Sequence, residues 1–316
     1  MKIARIKRNT LLYSARVLLV STLIIGSSIV SASGNGLIDA VMRSDFIFDR
    51  NVSDVPFIPL GYININQQRN ADIKTGCMFA SCEFDLKSYS QGFGMPVWVG
   101  KKNMLILGET LESNTISGAF RNIKVNSGGL LGAWISQPNQ HWQLGAFMYA
   151  YRGIGNDELA REPKGNISGA VGRYRHSPHF HSYWGMVRFY EYGEDTLYPY
   201  IGFDWYIGKK WSIGGVMPWP TITYASTKDT ILKFGALYSS TEWAFDNEGK
   251  ALVSDFGKWD IGLAAEHKLS KLLWGEVAFG YSGFGKLYIR SGSNIEYESE
   301  IENSPFIRFS INLRVD

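Results

Sequence analysis

The stretch Leu197-Tyr198-Pro199-Tyr200-Ile201-Gly202-Phe203-Asp204-Trp205-Tyr206-Ile207-Gly208 decides the fold class. Successive side chains of a β-strand point to opposite faces, so Leu197, Pro199, Ile201, Phe203, Trp205 and Ile207 share one face. Tyr198, Tyr200, Gly202, Asp204, Tyr206 and Gly208 share the other. One face suits lipid and the other a wet or packed interior. The pattern returns where Trp259, Ile261, Leu263 and Ala265 alternate with Asp260, Gly262, Ala264 and Glu266. It returns again where Ile307, Phe309, Ile311, Leu313 and Val315 alternate with Arg308, Ser310, Asn312 and Arg314.

A soluble antiparallel sandwich also alternates. Three features favour a membrane barrel: long aromatic-tipped strands, a polar face rich in Gly and Tyr, and connections that are tight at one end and long at the other. Tight connections fall at Lys101-Lys102-Asn103, Pro138-Asn139-Gln140, Ser177-Pro178-His179, Gly208-Lys209-Lys210, Thr227-Lys228-Asp229 and Ser270-Lys271. Longer ones cover about 68–83, 116–123, 153–164, 246–255 and 290–303. Short turns face the periplasm in bacterial barrels and long loops face outward, which orients the chain.

The expected architecture is all-β, a closed antiparallel transmembrane β-barrel of about 12–14 strands over residues 57–316. The count turns on Trp211 to Ser226. A reversal at Met217-Pro218-Trp219-Pro220 gives fourteen strands, two of them short, whereas an outward-facing Thr227 turn gives twelve.

Ahead of the barrel, Lys2, Arg5, Lys7 and Arg8 precede an apolar stretch from Val17 to Val30, then Val30-Ser31-Ala32. This is the layout of a signal peptide over residues 1–32, cleaved after Ala32, with an uncleaved anchor as the alternative. Residues 33–56 read as a periplasmic N-terminal segment. The signal holds Lys2, Arg5, Lys7, Arg8 and Arg16 and no acid, so the formal charge of +3 falls by five to −2 in the mature chain. A nucleic-acid partner is not expected, because the basic balance belongs to the signal. No later segment has the run of about 18 apolar residues that a membrane helix needs. Cys77 and Cys82 could close a small disulfide in an oxidising compartment or remain two free thiols.

The run Tyr198-Pro199-Tyr200-Ile201-Gly202-Phe203, then Lys210-Trp211-Ser212, then Met217 to Tyr224 and Gly235 to Trp243, resembles an uncharacterised family of Gram-negative outer-membrane β-barrel proteins. In that family a strand, a tight turn and a Trp lead to a proline-aromatic-proline step, a Tyr and a second strand. The resemblance covers roughly residues 84–315 and implies an outer-membrane barrel, with no catalytic or binding residues attached.

The residues themselves offer no catalytic constellation, no cofactor motif and no metal site. His141, His176, His179, His181 and His267 all fall beside tight turns, the wrong end for an outer-leaflet hydrolase. Neighbours in a strand point apart, so His181 and Ser182 form no nucleophile–base pair. His176, His179 and His181 have metal-like spacing but read better as polar turn residues. What remains is the interior. Arg188, Asp204, Asp260, Glu266, Glu276, Arg308 and Arg314 are expected to face the lumen, among Tyr190, Tyr198, Tyr200 and Tyr206. Such charges either pair and fill the barrel or form a selectivity ring.

The leading expectation is a porin-like or small-solute channel with no named solute. A non-conducting structural or adhesive barrel acting through its outer loops comes second, and an outer-leaflet lipid hydrolase third. Expected partners are outer-membrane lipid, lipopolysaccharide and the barrel-assembly machinery.

Overall fold

The computed structural model describes residues 44, 46, 58–72, 83–118, 123–155, 160–161, 164–191, 194–216, 219–247, 250–291 and 294–315. Two units are distinguished, Met1–Phe46 with Val99–Lys101 and the remainder, and the barrel belongs to the second. The signal segment and both cysteines lie outside the described residues.

The strands are β1 (Ile58–Asp72), β2 (Glu83–Val99), β3 (Asn103–Gly118), β4 (Ile123–Ser136), β5 (Trp142–Gly155), β6 (Ala160–Arg161), β7 (Lys164–Ser177) and β8 (Phe180–Glu191). They continue as β9 (Glu194–Ile207), β10 (Trp211–Val216), β11 (Thr221–Ala225), β12 (Thr230–Asn247), β13 (Lys250–Lys268), β14 (Leu273–Ser291), β15 (Asn294–Ile301) and β16 (Ser304–Val315). Fourteen of them form a closed ring in chain order, joined by pairing of β1 with β16 and of β11 with β12. The two outside the ring are β6, which adds to β12, and β15, which continues the line of β16 along β14. No helix is long and apolar enough to cross a membrane among the described residues.

β10 and β11 pair antiparallel, so the chain does reverse between them, and the Thr227 turn therefore lies at the same end as the other tight turns. Two expected loops are much shorter than the sequence suggests. β12 and β13 run together to Asn247↔Lys250, and β14 and β15 to Ser291↔Asn294, where 246–255 and 290–303 read as loops. Polar side chains disguise these strand ends, yet ladder bonds satisfy their backbones.

Exposure separates the two faces as alternation requires. Leu197, Ile201, Phe203, Trp205 and Ile207 are exposed, as are Leu263, Val277, Phe279, Ile307, Phe309 and Ile311. Glu266, Ser282, Ser304, Ser310 and Arg314, on the opposite parity, are buried. Inner contacts skip whole strands, for example Gln68 on β1 to Ser282 on β14, which only the concave side of a sheet permits. From Leu273 up to Tyr281 the exposed belt rises about 20 Å at the usual strand rise and tilt, close to the apolar height of an outer-membrane barrel.

One irregularity sets the interior of β13–β14. Two β14 residues face Lys258 where the register shifts between Gly257 and Trp259. Phe284 there takes φ 50°, and its N–H donates to Asn303 Oδ1 at 3.1 Å. Above this bulge the inner parity of β14 switches from even residues such as Ser282 to odd ones such as Leu287 and Ile289.

Candidate functional site

At usual strand spacing and tilt, fourteen strands enclose a backbone ring about 28 Å across, too wide for ordinary side chains to fill. The interior has two unlike walls.

The first wall is built by β12, β13, β14, β16 and β1. Nearest the tight-turn end, the fully buried Trp274 has the Arg314 guanidinium 5.4 Å from its ring centre. Arg314 also pairs with Glu266, which accepts a hydrogen bond from Asn312 at 3.1 Å. Lys233 donates to Glu276 at 2.7 Å and makes an ion contact with Glu266 at 2.9 Å. Arg308 stands higher, 3.6 Å from Glu276. Above it Lys258 donates to Asp260 and to Ser282, both at 2.7 Å. Ser282 Oγ and Gln68 lie 3.0 Å apart, and Gln68 donates to Ser304 at 2.7 Å. A carboxylate removed from water persists only when cations and hydrogen bonds replace its hydration, which is what each of these groups receives.

Above the charges the filling turns apolar. Ala71, Phe84, Leu86, Ile116, Val125, Phe256, Leu287 and Ile301 form one buried cluster at the end away from the tight turns. Phe84 on β2 and Phe256 on β13 meet edge to face at 5.3 Å, although four strand steps separate them around the ring. On a round barrel of this size that chord is about 22 Å, more than two phenyl side chains span. The ring is therefore drawn inward on this side.

The second wall, from β3 to β9, is thin. Tyr151 lies over Gly165 and Tyr149 over Gly129, and a Cβ added at Gly165 would meet the Tyr151 hydroxyl at 2.8 Å and its ring at 2.9 Å. Outside this wall, Tyr62 on β1 covers Gly92 on β2 in the same way. The tyrosine hydroxyls are held, Tyr149 by Thr110 at 2.6 Å and Tyr151 by Glu191. Tyr183 holds Asp204 similarly.

Of the residues expected to face the lumen, Asp204, Asp260, Glu266, Glu276, Arg308 and Arg314 lie on the inner parity. Arg188 does not. It shares the outer face of β8 with Trp184 and Met186 and forms a two-pronged pair with Asp195, both ends 2.7 Å and both side chains half exposed. Tyr190 lies on that outer face too. Lys233, Lys258 and Gln68 were not singled out by the sequence, although the alternation that places Asp260 inward also places Lys258 there.

The histidines are not gathered. His181 is buried on the inner face, 3.1 Å from Arg173, while His176 sits on the outer face with its Nε2 2.8 Å from Ser182 Oγ. The Ser182–His176 contact is a pairing that sequence adjacency hides. Ser182 Oγ also accepts from Trp184 Nε1 at 2.9 Å, and no described carboxylate bonds His176. Among the described residues no group of three His, Cys, Asp or Glu side chains is placed to hold a metal.

No family model matches the chain, and no curated protein does. Solved structures with which it aligns are outer-membrane β-barrels. A FadL homologue of Pseudomonas aeruginosa aligns at TM-score 0.46 and 9% identity, over 86% of this chain and 93% of that one. The translocator domain of autotransporter NalP from Neisseria meningitidis aligns at TM-score 0.39 and 13% identity, over 92% and 97%. Outer membrane phospholipase A from Escherichia coli aligns at TM-score 0.36 and 12% identity, over 81% and 94%.

Proposed function

We propose that the chain resides in the bacterial outer membrane and is a channel for small polar solutes, its belt in contact with lipid and lipopolysaccharide after insertion by the barrel-assembly machinery. One observation carries the reading. Tyr149 and Tyr151 on β5, and Tyr62 on β1, fold down onto glycines of the neighbouring strands, so the wall there is one ring thick, with the β5 hydroxyls held along it by Thr110 and Glu191. Filling a barrel would call for these rings to point inward. The opposite wall holds most of its charges in pairs, four cations against three anions, so a solute meets a polar surface with little net field.

The test is liposome swelling with purified, refolded protein and neutral sugars of rising size. Swelling with the smallest sugars and exclusion of larger ones supports a channel. No swelling with any sugar, from protein that keeps its folded mobility on gels, rejects it.

A second reading draws on the apolar cluster where Phe84 meets Phe256. Its packing closes off part of one mouth and suits a non-conducting barrel that acts through its connections. A lipid hydrolase has less support, because no carboxylate among the described residues orients His176 in the Ser182–His176 contact, which lies near the tight-turn end.

A further inference from the structure

Among the described residues the barrel wall has a notch. β10 and β11 are only 6 and 5 residues long, whereas their neighbours β9 and β12 have 14 and 18. β9 has its last β10 partner at Gly202↔Val216, and β12 has its last β11 partner at Gly235↔Thr221. Beyond these points no described strand lies between β9 and β12, until β6 pairs at Ala244↔Arg161. The gap spans three strand steps, about 14 Å between backbones. It cuts into the apolar belt, since Leu197 and Ile201 beside it are exposed on the lipid side by 59% and 56%.

An unprotected sheet edge facing hydrocarbon is costly, because each peptide group left without a partner lacks water too. Both edges here are blunted. Tyr206 N–H donates to His179, so even residues of β9 bond toward β8 and odd ones face the notch. Pro199, one of those odd residues, has no N–H to leave unpaired. On β12, Ala236 N–H donates to Pro220, so even residues face the notch. The carbonyl of the next even residue, Tyr238, is capped by Trp219 Nε1 at 3.1 Å. Gly215, at φ 130°, allows the tight approach, because a Cβ there would strike the Trp219 carbonyl.

On the β12 side of the notch, on the inner face, lies a recess of about 200 Å³. Trp219, Leu237 and Phe306 line it together with Lys233, Asp260, Glu276 and Arg308. It is comparable to a cavity of about 150 Å³ that takes up benzene. The cations Lys233, Lys258, Arg308 and Arg314 outnumber the anions Asp260, Glu266 and Glu276 by one. Arg308 is the most loosely held, with Glu276 3.6 Å away as its ion-pair partner among the described residues.

We propose that this recess binds the carboxylate end of an amphipathic organic anion that enters sideways from the membrane through the notch. The carboxylate pairs with Arg308, the first carbons lie against Leu237, Phe306 and Trp219, and the rest of the chain extends through the wall into lipid. Neither binding nor entry depends on whether the barrel conducts.

The test uses the full chain in phosphatidylcholine liposomes and a decanoic acid analogue that carries a photoreactive diazirine on its tail. Cross-links should map to Trp219, Leu237 or Phe306, and free decanoate should compete while decanol should not. Arg308→Gln should cut labelling about ten-fold or more, as loss of a charge-assisted contact does. Ala264→Trp, which fills the recess, should abolish labelling, and Arg188→Gln on the outer face should leave it unchanged. In a Cys77→Ser/Cys82→Ser background, a bulky maleimide on Pro199→Cys should block labelling by closing the notch. Labelling spread over the outer belt, or equal competition by decanol and decanoate, overturns the site even if a variant fails to fold. Full labelling with the notch blocked overturns sideways entry.

Discussion

Lys258 and Asp260, two residues apart on the inner face of β13, hold their charged atoms 2.7 Å apart with both side chains at most 4% exposed. Breaking such a buried pair from one side strands the other charge, at a cost of about 3–5 kcal/mol. Lys258→Met should destabilise the refolded barrel by that amount, and Lys258→Met/Asp260→Leu should recover most of it. Urea titration of the folded gel form measures both. Equal losses from the single and double variants would mean that the loss does not come from the stranded charge.

Phe309 and Arg308 test the assignment of faces. Phe309 is 49% exposed on the belt, and a charge there, near mid-membrane, should cost about 2–4 kcal/mol. Arg308→Ser should leave the barrel folded, because Glu276 keeps Lys233 at 2.7 Å. Similar damage from Phe309→Arg and Arg308→Ser, read by heat-modifiability, would contradict the assignment.

Arg188 makes a contrasting prediction. Its pair with Asp195 lies outside the barrel, so Arg188→Ala should change neither ion preference nor solute size limit. A shifted reversal potential in that variant would return Arg188 to the lumen.

The alternation of Leu197 to Ile207 made the barrel legible because lipid demands apolar side chains on every second residue. Arg188 was misread because β8 carries large apolar groups on both parities, Trp184 and Met186 outward and Val187 and Phe189 inward, so parity alone does not choose a face. The pairing of β12 with β13 beyond Ser239 and of β14 with β15 was hidden because those strands leave the apolar belt and lose its signature. Fourteen strands followed from the proline reversal that the sequence located without deciding. The recess was not legible at all. Its members come from five segments, and only the register of β11 to β16 brings Trp219, Lys233 and Arg308 together.

Orientation rests on the unequal ends. In a Cys77→Ser/Cys82→Ser background, Asn294→Cys at the start of β15 should react with an impermeant maleimide on intact cells, and Lys209→Cys in the tight Gly208 turn should not. The reverse pattern would turn the barrel over in the membrane.

Single-channel recording in a planar bilayer tests the proposed lumen most directly. Refolded, heat-modifiable protein should insert with discrete conductance steps and little preference between cations and anions, since lumenal charges such as Lys233, Glu276, Lys258 and Asp260 are held in pairs. Insertion without any conductance step would contradict a passage between the tyrosine wall and the paired-charge wall.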